Sequence, residues 1–285
     1  MNISVVLPAK NEAKNITAVL QSIQSLELDA EILVINDGST DNTADLARLG
    51  GAKVISHPYC QGNGAAIKTG ARNATGDIII FMDGDGQHNP VDIPMFLQKM
   101  QEGYDMVVGA RNVKTQASIL RRVGNAFYNR FASIMTGHKI DDLTSGFRAV
   151  RAAKFRKFLY LLPNGFSYPT TSTMAFFRSG FPVAYVPIHA GQRKGKSHIR
   201  IVRDGTRFFI IILRIGSLFS PMRLFLPVSI SLFLLGIGYY GYTYTTEHRF
   251  TNMSALLLNT SVITFLMGFL SEQVSALHYR HAEDD

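Results

Sequence analysis

Short apolar runs alternate with amphipathic segments through the first half of the chain. Five of these runs are rich in Ile and Val, are bounded by turn residues, and predict buried strands: Ile3–Leu7, Glu31–Ile35, Lys53–Ser56, Ile78–Met82 and Met106–Gly109. Helical spacing of apolar residues predicts helices between them: Glu12–Ser25, Asp41–Leu49, with Thr40 or Asp41 as N-cap, Asn63–Ala74 and Asp92–Gln101. This alternation predicts an α/β fold with a mostly parallel sheet that is covered on both faces.

The last third of the chain contains two long runs without charged residues, Leu224–Thr246 and Ser254–Ser271. The first is long enough to cross a hydrocarbon core about 30 Å thick, and the second is somewhat shorter. Because the link Glu247–Met253 is brief, the pair predicts a transmembrane hairpin with both ends on one side.

A basic segment precedes this hairpin. Residues 193–223 hold eight Lys or Arg and one acid, Asp204. Arg200, Arg203, Arg207 and Arg214 fall on one helical face, and apolar residues fill the remainder. This pattern favours a helix lying in the membrane interface, with a buried helix of a soluble protein as the alternative. The positive-inside rule then predicts that the globular domain is cytoplasmic, with both termini on that side.

Composition narrows the choice of partner. The net charge is +8, and the basic residues concentrate before the hairpin, so membrane lipids are the expected partner. No nucleic-acid-binding motif accompanies the charge, and nucleic acid is not expected as a partner. The single cysteine, Cys60, excludes an intramolecular disulfide and a Cys-based zinc site. The start of the chain, MNISVVLPAKNE, lacks the pattern of a signal peptide.

Polar clusters follow three of the predicted strands: Pro8–Glu12, Asn36–Asp41 and Asp83–His88. Ligands of such sheets bind beyond the carboxyl ends of the strands, so the clusters are expected at one edge. Asp83 and Asp85 would repel each other without a cation between them. Their oxygens and that of Gln87 suit Mg²⁺ or Mn²⁺, whose shell substrate phosphates often complete. A simple Asp-Gly turn is the alternative.

Two further segments are candidates for contact with a nucleotide. Asp37 ends the second strand, where its carboxylate could accept a hydrogen bond from a nucleobase; a helix N-terminal turn is the alternative. Small residues at Gly62–Ala66 begin a helix and would let the backbone approach a phosphate or a ribose closely.

The order PAKNE, NDGSTD, GNGAA and DGDGQH resembles the glycosyltransferase family 2 catalytic domain, which has the Rossmann-like GT-A fold. The segments Gly109–Arg111, Thr144–Arg148 and Arg193–His198 resemble its dolichyl-phosphate mannose synthase and polyprenyl-phosphate glycosyltransferase branch. The chain departs from the family's pattern at Asn36, Asn63 and Asn125. The expected organisation is a catalytic domain over 1–198, an interfacial segment over 199–222 and a hairpin with a short cytoplasmic tail over 223–285.

The resemblance implies three groups of site residues. The nucleotide-sugar would contact Pro8, Ala9, Glu12, Asp37, Gly64, Asp83, Gly84 and Asp85, and Asp83, Asp85 and Gln87 would hold the metal. The acceptor phosphate would contact Arg111, Arg121, Asn125, Ser145, Arg148, Arg193 and Ser197. Asp85, Arg111 and Arg193 are the expected catalytic residues. A solvated surface cation is the alternative for each arginine taken singly, and an ordinary loop with an ST-turn is the alternative for Thr144–Arg148.

The implied reaction is an inverting, metal-dependent transfer of a sugar from a nucleotide-sugar to polyprenyl phosphate, with a UDP-sugar favoured and GDP-mannose next. The alternatives are a non-catalytic membrane scaffold with a degenerate transferase domain and a family 2 transferase with a glycan acceptor. A processive polysaccharide synthase is disfavoured, because those enzymes share a Q-x-x-R-W motif and this chain contains no Trp. The oligomeric state, including a homo-oligomer, is left open.

Overall fold

The computed structural model describes residues 2–111, 119–165, 167–188, 216–217 and 219–280; the side chains of 119–125 and 278–280 lie outside the described set. The chain divides into two compact units, residues 1–198 and 199–285. Most of the predicted interfacial segment, residues 199–215 and 218, lies outside the described residues.

The first unit is built on a seven-stranded sheet, in the order β3-β2-β1-β4-β6-β5-β7. The strands are β1 (Ile3–Ala9), β2 (Ala30–Asn36), β3 (Lys53–Ser56), β4 (Ile78–Phe81), β5 (Met106–Arg111), β6 (Arg148–Arg151) and β7 (Val183–Ile188). Strand β6 runs antiparallel to both neighbours, and the other pairings are parallel. All five predicted strands are present, which confirms the mostly parallel α/β sheet.

Seven helices of this unit are described: α1 (Ile16–Gln24), α2 (Thr43–Leu49), α3 (Asn63–Asn73), α4 (Ile93–Gln101), α5 (Ile119–Thr136), α6 (Ala152–Arg156) and α7 (Tyr168–Arg178). The second begins later than predicted, with Asn42 rather than Thr40 or Asp41 at its N-cap. The Asp41 carboxylate nevertheless accepts a hydrogen bond from the Thr43 amide at 3.1 Å. That bond satisfies one of the amides that a helix start leaves without an intrahelical partner.

Apolar side chains of the strands form the core. Strand β4 is buried along its whole length, as expected for a central strand covered on both faces. Near the carboxyl end of this sheet, the Phe96 ring stacks on the Phe147 ring with centroids 4.4 Å apart, and His88 lies against the same Phe147 ring at 5.2 Å. These rings support the loops described below.

The second unit contains two long helices, α8 (Pro221–Glu247) and α9 (Asn252–Arg280). Both are long and apolar enough to cross a membrane, and most of their large apolar side chains are exposed. Ser229 and Ser261 each donate a side-chain hydrogen bond to the other's backbone carbonyl, at 3.0 and 3.1 Å. The two helices therefore pack directly on each other, as interhelical polar contacts and small residues allow in membrane hairpins.

Candidate active site

The turns after β1 and β2 form one hydrogen-bonded unit at the carboxyl edge of the sheet. The Asn11 amide donates to Ser39 Oγ at 3.0 Å, and Asn11 Oδ1 accepts from the Thr40 amide at 2.8 Å. The Glu12 amide donates to Thr43 Oγ1 at 2.8 Å. Asn11 adopts a left-handed backbone conformation with φ of 57°, which Asn tolerates better than most residues. These bonds fix the position of Glu12, which is half-buried.

The turn after β4 lies directly against the end of β1. The Gly84 amide donates to the Pro8 carbonyl at 3.2 Å. A Cβ at Gly84 would lie 3.3 Å from both the Ala9 Cβ and the Pro8 oxygen, so a larger residue would push the turn away. Pro8, Ala9 and Gly84 are thus brought together, and they place Asp83 and Asp85 at this edge.

The turn after β4 carries two half-buried carboxylates, Asp83 and Asp85. Burial raises the pKa of Asp83, the nearby Asp85 carboxylate raises it further, and His88 opposes both effects. Gln87 contacts Asp85, with its side-chain amide donating to Oδ2 at 2.5 Å and its backbone amide to Oδ1 at 3.0 Å. A raised carboxyl pKa shows that the ionised form of Asp83 lacks compensation, which a bound cation would supply.

The polar atoms present fit a divalent ion that shares its shell with a ligand. Among the described residues, no three His, Cys, Asp or Glu side chains gather into a closed metal cage. Two carboxylates and one amide remain, which is the open oxygen set that Mg²⁺ completes with phosphates and water. Buried side-chain atoms without a partner include Asn63 Oδ1, His88 Nδ1 and Ser145 Oγ. Of these, the Asn63 and His88 side chains both interact with Asp83, so partners for a ligand remain beside it.

Both carboxylate oxygens of Asp37 are hydrogen-bonded within the protein. Its Oδ1 accepts from His57 Nδ1 and the Gln61 amide, both at 2.8 Å. Its Oδ2 accepts from the Gly62 amide at 2.9 Å and from the Cys60 thiol at 3.2 Å. The side chain is buried, and both oxygens are already satisfied within the protein. Asp37 therefore holds the 57–62 loop in place, and its contact with a nucleobase stays a prediction.

These hydrogen bonds also set the charge of Asp37. Burial alone would raise its pKa, but the bonds from His57 and from the Gln61 and Gly62 amides bring the pKa below its ordinary value. The far side of the His57 ring is bonded to Thr69 Oγ1 at 2.9 Å, which ties the loop to helix α3. Cys60 is an exposed residue of this loop.

The glycine segment before α3 serves packing rather than the predicted approach of a nucleotide. A Cβ at Gly64 would lie 2.0 Å from the Pro163 carbonyl oxygen, and one at Gly62 would lie 2.5 Å from the Asn164 oxygen. The Ala65 amide, at the helix start, donates to that same Asn164 oxygen at 3.2 Å. The 163–165 loop thus occupies the space that the glycines leave, and the nucleotide contact predicted for Gly64 is not supported.

Arg111 lies at the end of β5 in a fork of acceptors. Its Nε donates to Asp142 Oδ2 at 2.8 Å, and its Nη2 donates to Asp142 Oδ1 at 3.0 Å and to Thr144 Oγ1 at 2.6 Å. Burial opposes the charged forms, but the mutual ion pair dominates, raising the pKa of Arg111 and lowering that of Asp142. Paired N–H groups facing a carboxylate give a strong, oriented contact.

Residues 144–146 connect the Arg111–Asp142 ion pair to the turn that carries Asp83. A Cβ at Gly146 would lie 3.1 Å from Asp83 Oδ2, so the loop passes directly beside the carboxylate. The Gly146 carbonyl accepts from the Tyr168 hydroxyl at 3.3 Å. Ser145 is buried and lies between Thr144 of the fork and Gly146 beside Asp83, and its contact with the acceptor phosphate stays a prediction.

Arg148 does not lie where an acceptor phosphate could reach it. The residue is fully buried, and its Nη1 donates to the Pro169 carbonyl at 2.9 Å and to Ser172 Oγ at 2.7 Å. Its Nη2 donates to the Ser145 carbonyl. The prediction that Arg148 binds the phosphate is therefore corrected: the guanidinium ties helix α7 to the loop before β6.

Four predicted acceptor residues cannot be placed. The backbone of Arg121 and Asn125 lies in helix α5, but their side chains lie outside the described set. Arg193 and Ser197 lie entirely outside the described residues.

Sequence reasoning missed three residues that the structure places at the site. Asp142 pairs with Arg111, His88 lies beside Asp83, and Tyr168 bonds the Gly146 loop. An acidic residue two positions before Thr144 and a histidine directly after Gln87 were visible signals, because both are adjacent to motifs already singled out. Tyr168 offered no such signal, since only the folded chain brings helix α7 to that loop.

Two family models match the chain. The model described as Glycosyl transferase family 2 covers residues 4–159, and the one described as GtrB C-terminal hairpin covers residues 220–277.

Three curated relatives are similar over much of the chain. Glycosyltransferase AglJ of Haloferax volcanii is 28% identical over 97% of this chain and 94% of its own length. The undecaprenyl-phosphate 4-deoxy-4-formamido-L-arabinose transferase of Pseudomonas fluorescens is 26% identical over 97% and 85%. The dolichyl-phosphate hexose transferase of Haloferax volcanii is 30% identical over 70% and 86%.

Solved structures share the fold. Glucosyl-3-phosphoglycerate synthase from Mycobacterium tuberculosis, in complex with phosphoglyceric acid, superposes with a TM-score of 0.61 at 22% identity, covering 76% of this chain and 79% of that one. The same enzyme in complex with Mn²⁺ and UDP-glucose superposes with a TM-score of 0.59 at 24% identity, covering 76% and 78%. At this identity the likeness concerns the fold, and it confirms the GT-A architecture.

Proposed function

Because the chain belongs to glycosyl transferase family 2, we propose that it transfers a sugar from a nucleotide-sugar to polyprenyl phosphate at a membrane surface. The observation that carries the proposal is the pairing, in one chain, of this catalytic domain with two membrane-span candidates that match a hairpin family. Relatives aligned over 97% and 70% of the chain are named for undecaprenyl-phosphate and dolichyl-phosphate sugar transfer. The hairpin is proposed as the anchor, with the catalytic domain on the cytoplasmic side.

The donor is proposed to bind at the carboxyl edge of β1 and β4, with UDP-sugars first and GDP-mannose second among the candidates. Pro8, Ala9 and Glu12 line this edge beside the Asp83 turn. Asp83, Asp85 and Gln87 are proposed to hold Mg²⁺ or Mn²⁺ against the diphosphate. When bound, the ion neutralises the charge that develops on the departing nucleoside diphosphate.

The acceptor phosphate needs to be oriented by the protein more than it needs to be deprotonated. A phosphate monoester has a second pKa near 6, so an acceptor oxygen is already anionic at neutral pH. That oxygen forms a bond to the anomeric carbon while the bond from this carbon to the diphosphate oxygen breaks, which inverts the centre. Arg111 is proposed to donate hydrogen bonds to this phosphate, with Arg121, Asn125, Arg193 and Ser197 as further contacts predicted from sequence. Bringing two anions together in this way is a large part of the rate enhancement.

A donor screen tests the proposal. The purified full chain is given one polyprenyl phosphate, a panel of UDP- and GDP-sugars, and either Mg²⁺ or Mn²⁺. We expect one donor to yield a lipid-linked monosaccharide, and chelator to abolish the product. If every donor is left intact, or is hydrolysed equally well with and without the acceptor, the scaffold or glycan-acceptor alternative replaces the proposal.

A further inference from the structure

The ion pair between Asp142 and Arg111 is placed and oriented in a way that bears on the reaction. The Arg111 side chain is 31% exposed, and the side chain of its partner Asp142 is 8% exposed. The Asp142 carboxylate also accepts the Arg111 backbone amide at 3.3 Å, so it holds both the strand end and the side chain.

The hydrogen-bond pattern leaves one edge of the guanidinium for a ligand. Nε and both hydrogens of Nη2 are taken by Asp142 and Thr144. No bond from Nη1 is made to any of the described residues. The two N–H groups of Nη1 therefore remain as charged donors for a phosphate oxygen, on a guanidinium plane that the ion pair holds fixed.

The same loop fixes the distance from this edge to the metal-binding turn. Asp142 Oδ1 accepts the Thr144 amide at 3.0 Å, which closes the loop back on the carboxylate. Two residues later, Gly146 passes beside Asp83 Oδ2. The negative charge of Asp83 also contributes to the raised pKa of Arg111. Movement of Asp142 would therefore shift the arginine relative to the donor turn.

We propose that Asp142 is a positioning residue, which locks Arg111 so that its Nη1 edge meets the acceptor phosphate in line with the donor. The proposal rests on the proposed function. Because the negative charge of Asp142 neutralises that of the guanidinium, Arg111 orients the acceptor phosphate more than it attracts it. Loss of Asp142 therefore leaves acceptor binding nearly intact but slows the transfer itself, since a misplacement of about 1 Å can cost a factor of about 100.

The chain offers a matched control at the opposite end of the same strand. Asp105 immediately precedes β5, is 4% exposed at its side chain, and pairs with Lys154 at 2.5 Å and Arg151 at 3.2 Å. Asp105→Asn removes a comparable buried charge, but at the end of β5 that lies away from Asp83. Both Asp→Asn variants are expected to lose stability, but only Asp142→Asn is expected to lose turnover.

The experiment measures kcat and the KM of donor and acceptor for the full chain in detergent, corrected for the folded fraction. We expect Asp142→Asn to lower kcat at least tenfold while both KM values stay within about threefold, and Asp105→Asn to leave kcat within twofold. Thr144→Val removes one of the two acceptors of Nη2 and the hydroxyl bond to Asp142 Oδ1, and it should change kcat in the same direction by less. In an Arg111→Ala background, Asp142→Asn should add no further loss.

Two results would overturn the inference. Asp142→Asn could match Asp105→Asn in kcat, or its full effect could persist without Arg111, and either result would make Asp142 a stabilising residue only. The failure of the proposed function looks different, because the wild-type chain would then form no lipid-linked sugar with any donor, and the inference would fall with it.

Discussion

Replacing Gly146 with alanine probes the contact between the 142–146 loop and the proposed metal site. The added Cβ would lie 3.1 Å from Asp83 Oδ2 and 3.4 Å from the Tyr168 hydroxyl. The first distance is shorter than an ordinary carbon–oxygen contact, so the carboxylate or the loop must shift by a few tenths of an ångström. Gly146 has no left-handed φ, so alanine suits its backbone and the effect comes from the contact alone.

The size of the effect follows from the cost of overpacking. An extra methyl in a filled site costs about 1–3 kcal/mol. If that strain is relieved by displacing Asp83 from its place beside the donor, kcat/KM should fall about 5- to 150-fold, at 1.36 kcal/mol per factor of ten. The Mg²⁺ or Mn²⁺ concentration that gives half-maximal activity should rise as well, because a displaced carboxylate binds the ion less well.

The assay is a metal titration of sugar transfer by the Gly146→Ala and wild-type chains. Gly165→Ala is the matched control, because a Cβ there would meet nothing within 4 Å. We expect the control to behave as wild type. Equal metal dependence in all three proteins would refute the reasoning that the loop sets the position of Asp83.

Four further expectations have separate measurements. Asp83→Asn should abolish transfer while near-UV circular dichroism stays native. Activity of this variant without added metal would contradict the metal role. Asp37→Ala should lower the free energy of unfolding by about 1.5–3 kcal/mol through its lost charged hydrogen bonds, measured by denaturant titration; an unchanged midpoint would deny it the loop-holding role. Cysteine introduced at Asn252, with Cys60 replaced, should react with an impermeant reagent outside intact cells, whereas labelling only after lysis would contradict the hairpin topology. Arg193→Ala should reduce transfer to a short soluble prenyl phosphate in detergent, and full activity there would make it a membrane contact only.

The sequence predicted the framework because its signals are local. Apolar runs such as Ile78–Met82 and polar clusters such as Asp83–His88 are contiguous, and parallel pairing of β1, β2 and β4 brings the clusters to one edge. The two terminal helices were predictable for the same reason, since length and lack of charge identify them. Both helices extend beyond the predicted spans. The predictions were bounded by charged residues, and the helical backbone continues past them.

What the sequence could not show is which partner each polar side chain finds. Asp37 and Arg148 carry the residue types of a binding site, yet their partners come from the 57–62 loop and from helix α7. Gly64 does allow another group to approach its backbone closely, but that group is the Pro163 carbonyl. These contacts join segments distant along the chain, and no periodicity or spacing encodes them. Asp142 is adjacent to a motif that the sequence did single out, but its pairing with Arg111 joins residues 31 positions apart, and only the folded chain shows it.

The most direct test of the central claim compares two acceptors that differ only in phosphate. The wild-type chain receives a radiolabelled nucleotide-sugar, a divalent metal, and either polyprenyl phosphate or the polyprenol of the same length. We expect label to enter the organic phase only with polyprenyl phosphate. Equal labelling of the polyprenol, or no lipid labelling with either acceptor for any donor of the panel, would contradict it.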